Sequence, residues 1–191
     1  MSAAALPPAG LTRERLAQHH REVLSRGGAR NADVLLVESG GERFVVKDFG
    51  ARGAFVRGWL GPWLLRREVR AYRRLAGMEA VPRFLGWLDP MAIVLEYRPG
   101  ELLSRRLAGR VPPGFVDELA ATIDEMHRRG VVHLDLRHRS NLLAGADGHP
   151  VLIDFASALV FDVSKRSGRG VVERLAAFDR RALEKWRVRL T

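Results

Sequence analysis

The chain has 191 residues, 47% hydrophobic and 28% charged, a balance that suits a soluble globular protein with one sizeable core or two small lobes. It has no cysteine, which excludes disulfides and thiolate metal sites and fits a reducing cytoplasm, and no run approaches the roughly 18 uninterrupted apolar residues of a membrane span. The formal charge of +10, carried overwhelmingly by arginine, suits polyanions such as nucleotides, nucleic acid or an anionic membrane face, and equally an arginine-rich composition with no such partner.

Residues 1–10 are rich in Ala and Pro, lack the basic-then-apolar order of a signal peptide, and read as a disordered lead-in. Residues 11–25 read as helical at first and then as a short strand, and the glycines of 27–31 break any regular element. Residues 34–38 and 44–47 predict two strands joined by a turn at 39–41, a β-hairpin. Between 60 and 75, Leu60, Leu64, Val69, Tyr72 and Leu75 recur at helical steps, with Pro62 tolerable near the start.

Strands are predicted at 81–87 and 91–97 on either side of Asp89 and Pro90, with a turn at 98–100. A second helix follows Pro112 and Pro113, with Phe115, Val116, Leu119, Ile123 and Met126 on its apolar face and Gly130 as its stop. Apolar runs at 142–143 and 151–153 flank a turn at 146–148, a hairpin signal, and 170–189 reads as an arginine-dense helix with a solvated face. The cluster Trp59, Leu60, Trp63, Leu64 and Leu65 among Arg57, Arg66 and Arg67 admits an interfacial-membrane reading; packing against the hairpin sheet is preferred.

The most informative stretch is His133-Leu134-Asp135-Leu136-Arg137-His138-Arg139-Ser140-Asn141, followed by the apolar strand Val151-Leu152-Ile153 and then Asp154-Phe155-Ala156. An Asp and an Asn on one loop, with a second Asp at a strand end, are the groups phosphoryl transfer needs: a carboxylate for the acceptor hydroxyl and oxygen ligands for Mg²⁺. His133 is read as structural, and His138 as an exposed loop residue or a substrate contact.

The pattern resembles the protein-kinase catalytic loop H-R-D-x-x-x-x-N and the D-F-G motif. Three further places match in chain order: Lys47 ending a V-A-I-K-like strand, Glu68 in the following helix, and the hinge-like Val94-Leu95-Glu96-Tyr97. The resemblance implies a two-lobed α+β kinase-like fold with a shortened C-lobe, an N-lobe at 11–97, a C-lobe at 98–191, and ATP with Mg²⁺ in the cleft. It implies that Lys47, held by Glu68, contacts the phosphates; that Val45, Leu95, Glu96 and Tyr97 line the nucleotide; and that Asn141 and Asp154 hold the metal. Asp135 is then the residue that acts on the acceptor hydroxyl, and Arg137 neutralises charge on the transferring phosphate.

Departures qualify the match. Asn141 stands one residue later than the standard motif, so the loop is taken as one residue longer. Residues 27–31 are no G-x-G-x-x-G, which leaves Arg30 as a substitute phosphate contact. Leu134 replaces the Arg of H-R-D, Ala156 replaces the Gly of D-F-G, and only 35 residues follow Ala156. The shortened plan resembles the bacterial lipopolysaccharide-core (Kdo-type sugar) kinases and the RIO-type atypical kinases, and residues 71–77 with 81–83 are similar to the first group. That resemblance implies a sugar or lipid-linked sugar acceptor at the inner membrane face. The alternatives are a RIO-like protein Ser/Thr kinase and a nucleotide-binding pseudokinase acting as an interaction module. No specific nucleic-acid partner is expected.

Overall fold

In the computed structural model, which describes residues 11–16, 18–29 and 31–190, the mixed reading of 11–25 resolves into a helical turn, α1 (Arg13–Leu16), and a strand, β1 (His20–Ser25). β2 (Asp33–Ser39) and β3 (Glu42–Asp48) form the predicted hairpin. Gly40 and Gly41 close it at φ +62° and +79°, a backbone conformation glycine adopts without a Cβ penalty. β4 (Phe84–Asp89) and β5 (Ala92–Glu96) make a second hairpin, and the five strands form one antiparallel sheet in the order β1-β2-β3-β5-β4.

The register sorts the side chains of this sheet. Leu35 opposes Val46, Val37 opposes Phe44, and Val46 opposes Val94; with Ala92, Leu11 and Leu16 they form a buried apolar cluster on one face. Val45 opposes Leu95 and Lys47 opposes Ile93, so these four share the other face. Arg13 ties α1 to both hairpins, reaching Asp48 at 2.7 and 3.0 Å and Asp89 at 2.5 Å.

A π-helical turn (Val56–Leu60) runs into α2 (Gly61–Arg74), where the Gly61 amide donates to the Val56 carbonyl. A Cβ at Gly61 would stand 2.7 Å from the Phe49 ring, so the helix starts in direct contact with that side chain. Leu65, Glu68, Val69 and Tyr72 form the buried stripe. Trp59 and Trp63 correct the packing expectation: they are 62% and 49% exposed. At about 100° per residue they fall on the side of the helix away from Leu65 and Val69; within the cluster Leu65 is buried, and Leu60 and Leu64 are half-buried.

The chain divides into two units: the described residues up to Val69 together with Arg83–Tyr97, and Arg70–Pro82 together with the described residues from Arg98. Residues 70–82, placed with the first lobe by chain order, group with the second unit. There Tyr72 meets Phe155 edge-on at 5.1 Å and the Leu152 amide donates to the Ala80 carbonyl at 2.8 Å.

In the second unit the expected turn at 98–100 runs directly into a strand, β6 (Gly100–Leu102). α3 (Phe115–Arg128) buries Phe115, Leu119, Ile123 and Met126. It ends before Gly130 at φ +81°, where a Cβ would lie 2.4 Å from the Phe161 carbonyl oxygen. β7 (Val131–Val132), β8 (Leu142–Gly145), β9 (Pro150–Leu152) and β10 (Leu159–Val160) pair antiparallel as β6-β8-β9 and β10-β7. α4 (Arg166–Leu190) starts before the predicted tail helix and buries Val172, Ala176, Leu183, Trp186 and Leu190. The fold is α+β with antiparallel sheets, and among the described residues no helix is long and apolar enough to cross a membrane.

Candidate active site

In the first unit, strand alternation points Lys47 from β3 toward the face over which α2 carries Glu68. Their side chains meet at 2.6 Å and are 6% and 3% exposed. A lysine and a glutamate this buried persist because each neutralises the other where water cannot. Val45 and Leu95 lie on the same face as Lys47. Glu96 is engaged locally: its amide donates to the Arg83 carbonyl at 2.9 Å, and its carboxylate accepts from the Arg83 amide at 3.0 Å. Tyr97 lies beneath the Arg43 guanidinium, 4.5 Å from the ring centroid.

Gly27 and Asn31 are held by neighbouring side chains. Asp33 accepts the Gly27 amide at 2.8 Å, and Arg52 pairs with Asp33 while donating to the carbonyls of Gly27 and Asn31. The Gly27 amide, already donated to a carboxylate, is not available to cradle a phosphate. Arg30 lies outside the described residues.

In the second unit the loop after β7 brings Asp135 and Asn141 together. The Asn141 amide nitrogen donates to the Asp135 carboxylate at 2.9 Å and to the Asp135 carbonyl at 2.8 Å. The Ser140 hydroxyl donates to Asn141 Oδ1 at 2.9 Å, and His138 Nδ1 stands 2.5 Å from that hydroxyl oxygen. These contacts set which end of the amide is oxygen. The residue added to the loop therefore keeps Asn141 beside Asp135. The Ile153 amide donates to the Asn141 carbonyl at 3.0 Å, which links the loop to the strand end just before Asp154.

The non-glycine described residues with left-handed backbone are Leu134 (φ +68°) and Asp154 (φ +60°), the two that flank this chemistry. Such conformations hold only where surrounding contacts over-determine them. At Asp154 the carboxylate accepts the Ala156 amide at 3.3 Å, while Phe155 is fully buried against Tyr72 and His133.

At Leu134 the contact comes from Asp179 on α4, which sequence reasoning missed. Its carboxylate accepts the amides of His133 and Leu134 and the His127 Nε2–H, each at 2.9 Å. Trp186 and Lys185 on the same helix donate to the Leu136 and Arg137 carbonyls. Three residues of the arginine-rich tail thus hold the backbone of the catalytic-type loop. The Arg137 side chain itself is exposed.

His133 is fully buried, and its Nε2 lies 3.1 Å from the Ile153 carbonyl oxygen. A carbonyl only accepts, so Nε2 carries a proton. Burial holds its pKa below the ordinary histidine value, outweighing Asp179, the Ile153 carbonyl, Asp154 and Asp135, which all favour the charged form. The structural reading of His133 agrees with this environment. Among the described residues no three His, Cys, Asp or Glu side chains gather as an all-protein metal cage. Mg²⁺ does not require one: it keeps waters and binds one or two carboxylates together with substrate phosphates.

No protein-family model matches the chain. Among curated proteins it is 29% identical over 111 residues to a probable serine/threonine-protein kinase of Dictyostelium discoideum, covering 52% of this chain and 21% of that protein. It is 33% identical over 102 residues to CBL-interacting protein kinase 12 of Oryza sativa subsp. japonica, covering 50% of this chain and 19% of that protein. The chain therefore spans about a fifth of the length of each of these relatives. The two matches relate about half of the chain to Ser/Thr protein kinases and point to kinase-type phosphotransfer, with nothing specific to the Kdo-type or RIO groups.

Proposed function

We propose that the chain is a Mg²⁺- and ATP-dependent phosphotransferase that moves the γ-phosphoryl group to an acceptor hydroxyl. The observation that carries this reading is the Asp135–Asn141 pair, which joins a carboxylate and an amide across the six-residue separation of the altered loop. In the proposed step the acceptor oxygen bonds to the γ-phosphorus, the bond from that phosphorus to the bridging oxygen breaks, and ADP leaves. Asp135 orients the hydroxyl and receives its proton.

Lys47, kept in place by Glu68, would contact the nucleotide phosphates, and Arg137 would meet charge on the group in transfer. Asn141 and Asp154 supply hard oxygen donors and would hold the metal. Asn141 Oδ1 has two lone pairs, and the Ser140 hydroxyl uses one. When bound, Mg²⁺ supplies neutralisation of the phosphate charge.

The acceptor proposed from the Kdo-type resemblance is a sugar or lipid-linked sugar. The names of the two relatives favour a second reading, a protein Ser or Thr hydroxyl. Labelled ATP, Mg²⁺ and purified chain, offered membrane sugars and a protein mixture in parallel, separate the two by where the label goes. Asp135→Asn should lower transfer by about a hundredfold or more while sparing nucleotide binding. Equal transfer by this variant would overturn the mechanism, and nucleotide binding without any transfer would favour the pseudokinase.

A further inference from the structure

Phe55, Trp59 and Trp63 are 68%, 62% and 49% exposed, the reverse of what large aromatics usually do. They follow one another at four-residue steps through the π-helical turn into α2 and so line one side of it. The Phe55 and Trp59 rings stand 5.5 Å apart, and the Arg67 guanidinium lies over the Trp63 ring at 5.8 Å. The residues beside them are small: Gly53, Ala54 and Gly58 are exposed, and a Cβ at either glycine would meet nothing within 4 Å. The rings therefore have little side-chain bulk beside them on this segment.

The charge carried by this segment has a single sign. From Phe49 to Arg67 the sequence carries four arginines and no acidic residue, and Glu68, which follows, is buried against Lys47. Arg52 is taken up by Asp33, while Arg57 and Arg66 are exposed. A two-fold contact with a second copy would set these arginines against their own images, which like-charge repulsion opposes. An anionic bilayer complements both features at once. Trp and Phe rings suit the boundary between headgroup and acyl chain, and guanidinium groups pair with lipid phosphates.

We propose that Phe55, Trp59 and Trp63, flanked by Arg57, Arg66 and Arg67, form a docking face for an anionic lipid bilayer. The inference concerns a surface, and it stands whether or not the phosphotransfer reading holds.

The test is sedimentation of the full chain with phosphatidylcholine vesicles, with and without about 30% phosphatidylglycerol. The expected result is binding to the anionic vesicles at least about tenfold stronger than to neutral ones, with a blue shift of tryptophan emission and quenching by brominated acyl chains. Trp59→Ser with Trp63→Ser, and separately Arg57→Ser with Arg66→Ser, should each weaken binding by about tenfold or more with unchanged melting, because all four side chains are exposed. Absence of vesicle binding, equal binding to neutral vesicles, or undiminished binding by both variants would overturn the proposal. So would a lipid-free dimer that the tryptophan variant dissociates, which would assign the face to a second copy. Asp135→Asn should bind vesicles like the unaltered chain, so failure of catalysis and failure of docking are read separately.

Discussion

The Asp179 carboxylate accepts the backbone amide of Leu134 at 2.9 Å, and Leu134 is held at φ +68°. A leucine in the left-handed region costs roughly 1–3 kcal/mol. A fully buried carboxylate that also takes the His133 amide and the His127 ring N–H offsets that cost. The turn this contact holds carries the chain from β7 into Asp135.

Asp179→Asn replaces an acceptor-only group by one that also donates, so one of the three donors loses its partner. Unfolding in urea should show a loss of about 2–3 kcal/mol. Turnover should fall with little change in KM for ATP, because Asp135 is displaced while Lys47, the proposed phosphate contact, is untouched. Wild-type turnover in this variant would show that the contact is dispensable for positioning.

The buried Lys47–Glu68 pair makes a second expectation. Lys47→Met or Glu68→Gln alone breaks this buried ion pair, and either should destabilise the chain by about 3 kcal/mol. The double variant, apolar at 47 and neutral at 68, should recover much of that loss, and a double-mutant cycle in urea measures the coupling. Nucleotide binding should stay weak in both variants that lack Lys47, because stability can be restored without it but the proposed phosphate contact cannot.

Acid sensitivity follows from His133. Its native pKa is depressed by burial, so below about pH 6.5 the unfolded chain binds more protons than the native one. Its contribution is fully present above that value. It is lost as pH falls from there toward the lower native pKa, by at most about 1.4 kcal/mol per pH unit. His133→Gln keeps a donor for the Ile153 carbonyl and cannot titrate, so its stability should change less between pH 7.5 and 5.5. An unchanged difference between the two pH values would assign the acid sensitivity to other groups.

Ser140 tests the orientation of Asn141. Ser140→Ala removes the hydroxyl that donates to Asn141 Oδ1. The apparent Mg²⁺ requirement for turnover should rise by a few-fold, and Ser140→Thr should restore it. An identical Mg²⁺ titration in Ser140→Ala would mean that the Asp135 contact alone fixes the amide.

Much of the local architecture was legible because periodicity is a local property. The alternation at 34–38 and 44–47, the helical steps from 60 to 75, and the Gly130 stop correspond to β2, β3, α2 and the end of α3. Chain order and residue chemistry also named Lys47 with Glu68 and Asp135 with Asn141, pairs that stand 2.6 and 2.9 Å apart. The short strands β7 and β10 were not legible, since two residues define no period.

Asp179 shows where the reading ended. It lies in a helix dense with arginine and has no motif to single it out, yet Val172, Ala176, Asp179, Leu183, Trp186 and Leu190 are all buried at three- and four-residue steps. A carboxylate in register with an apolar stripe was the available signal. Trp59 and Trp63 are the opposite case, apolar residues that the stripe of Leu65, Val69 and Tyr72 leaves outside. The sequence by itself determined which residues could be helix or strand and which match a phosphoryl-transfer pattern. The tertiary structure decided which carboxylate is buried and which aromatics meet solvent, because burial depends on partners distant along the chain, as Asp179 and Leu134 are, while periodicity depends only on neighbours.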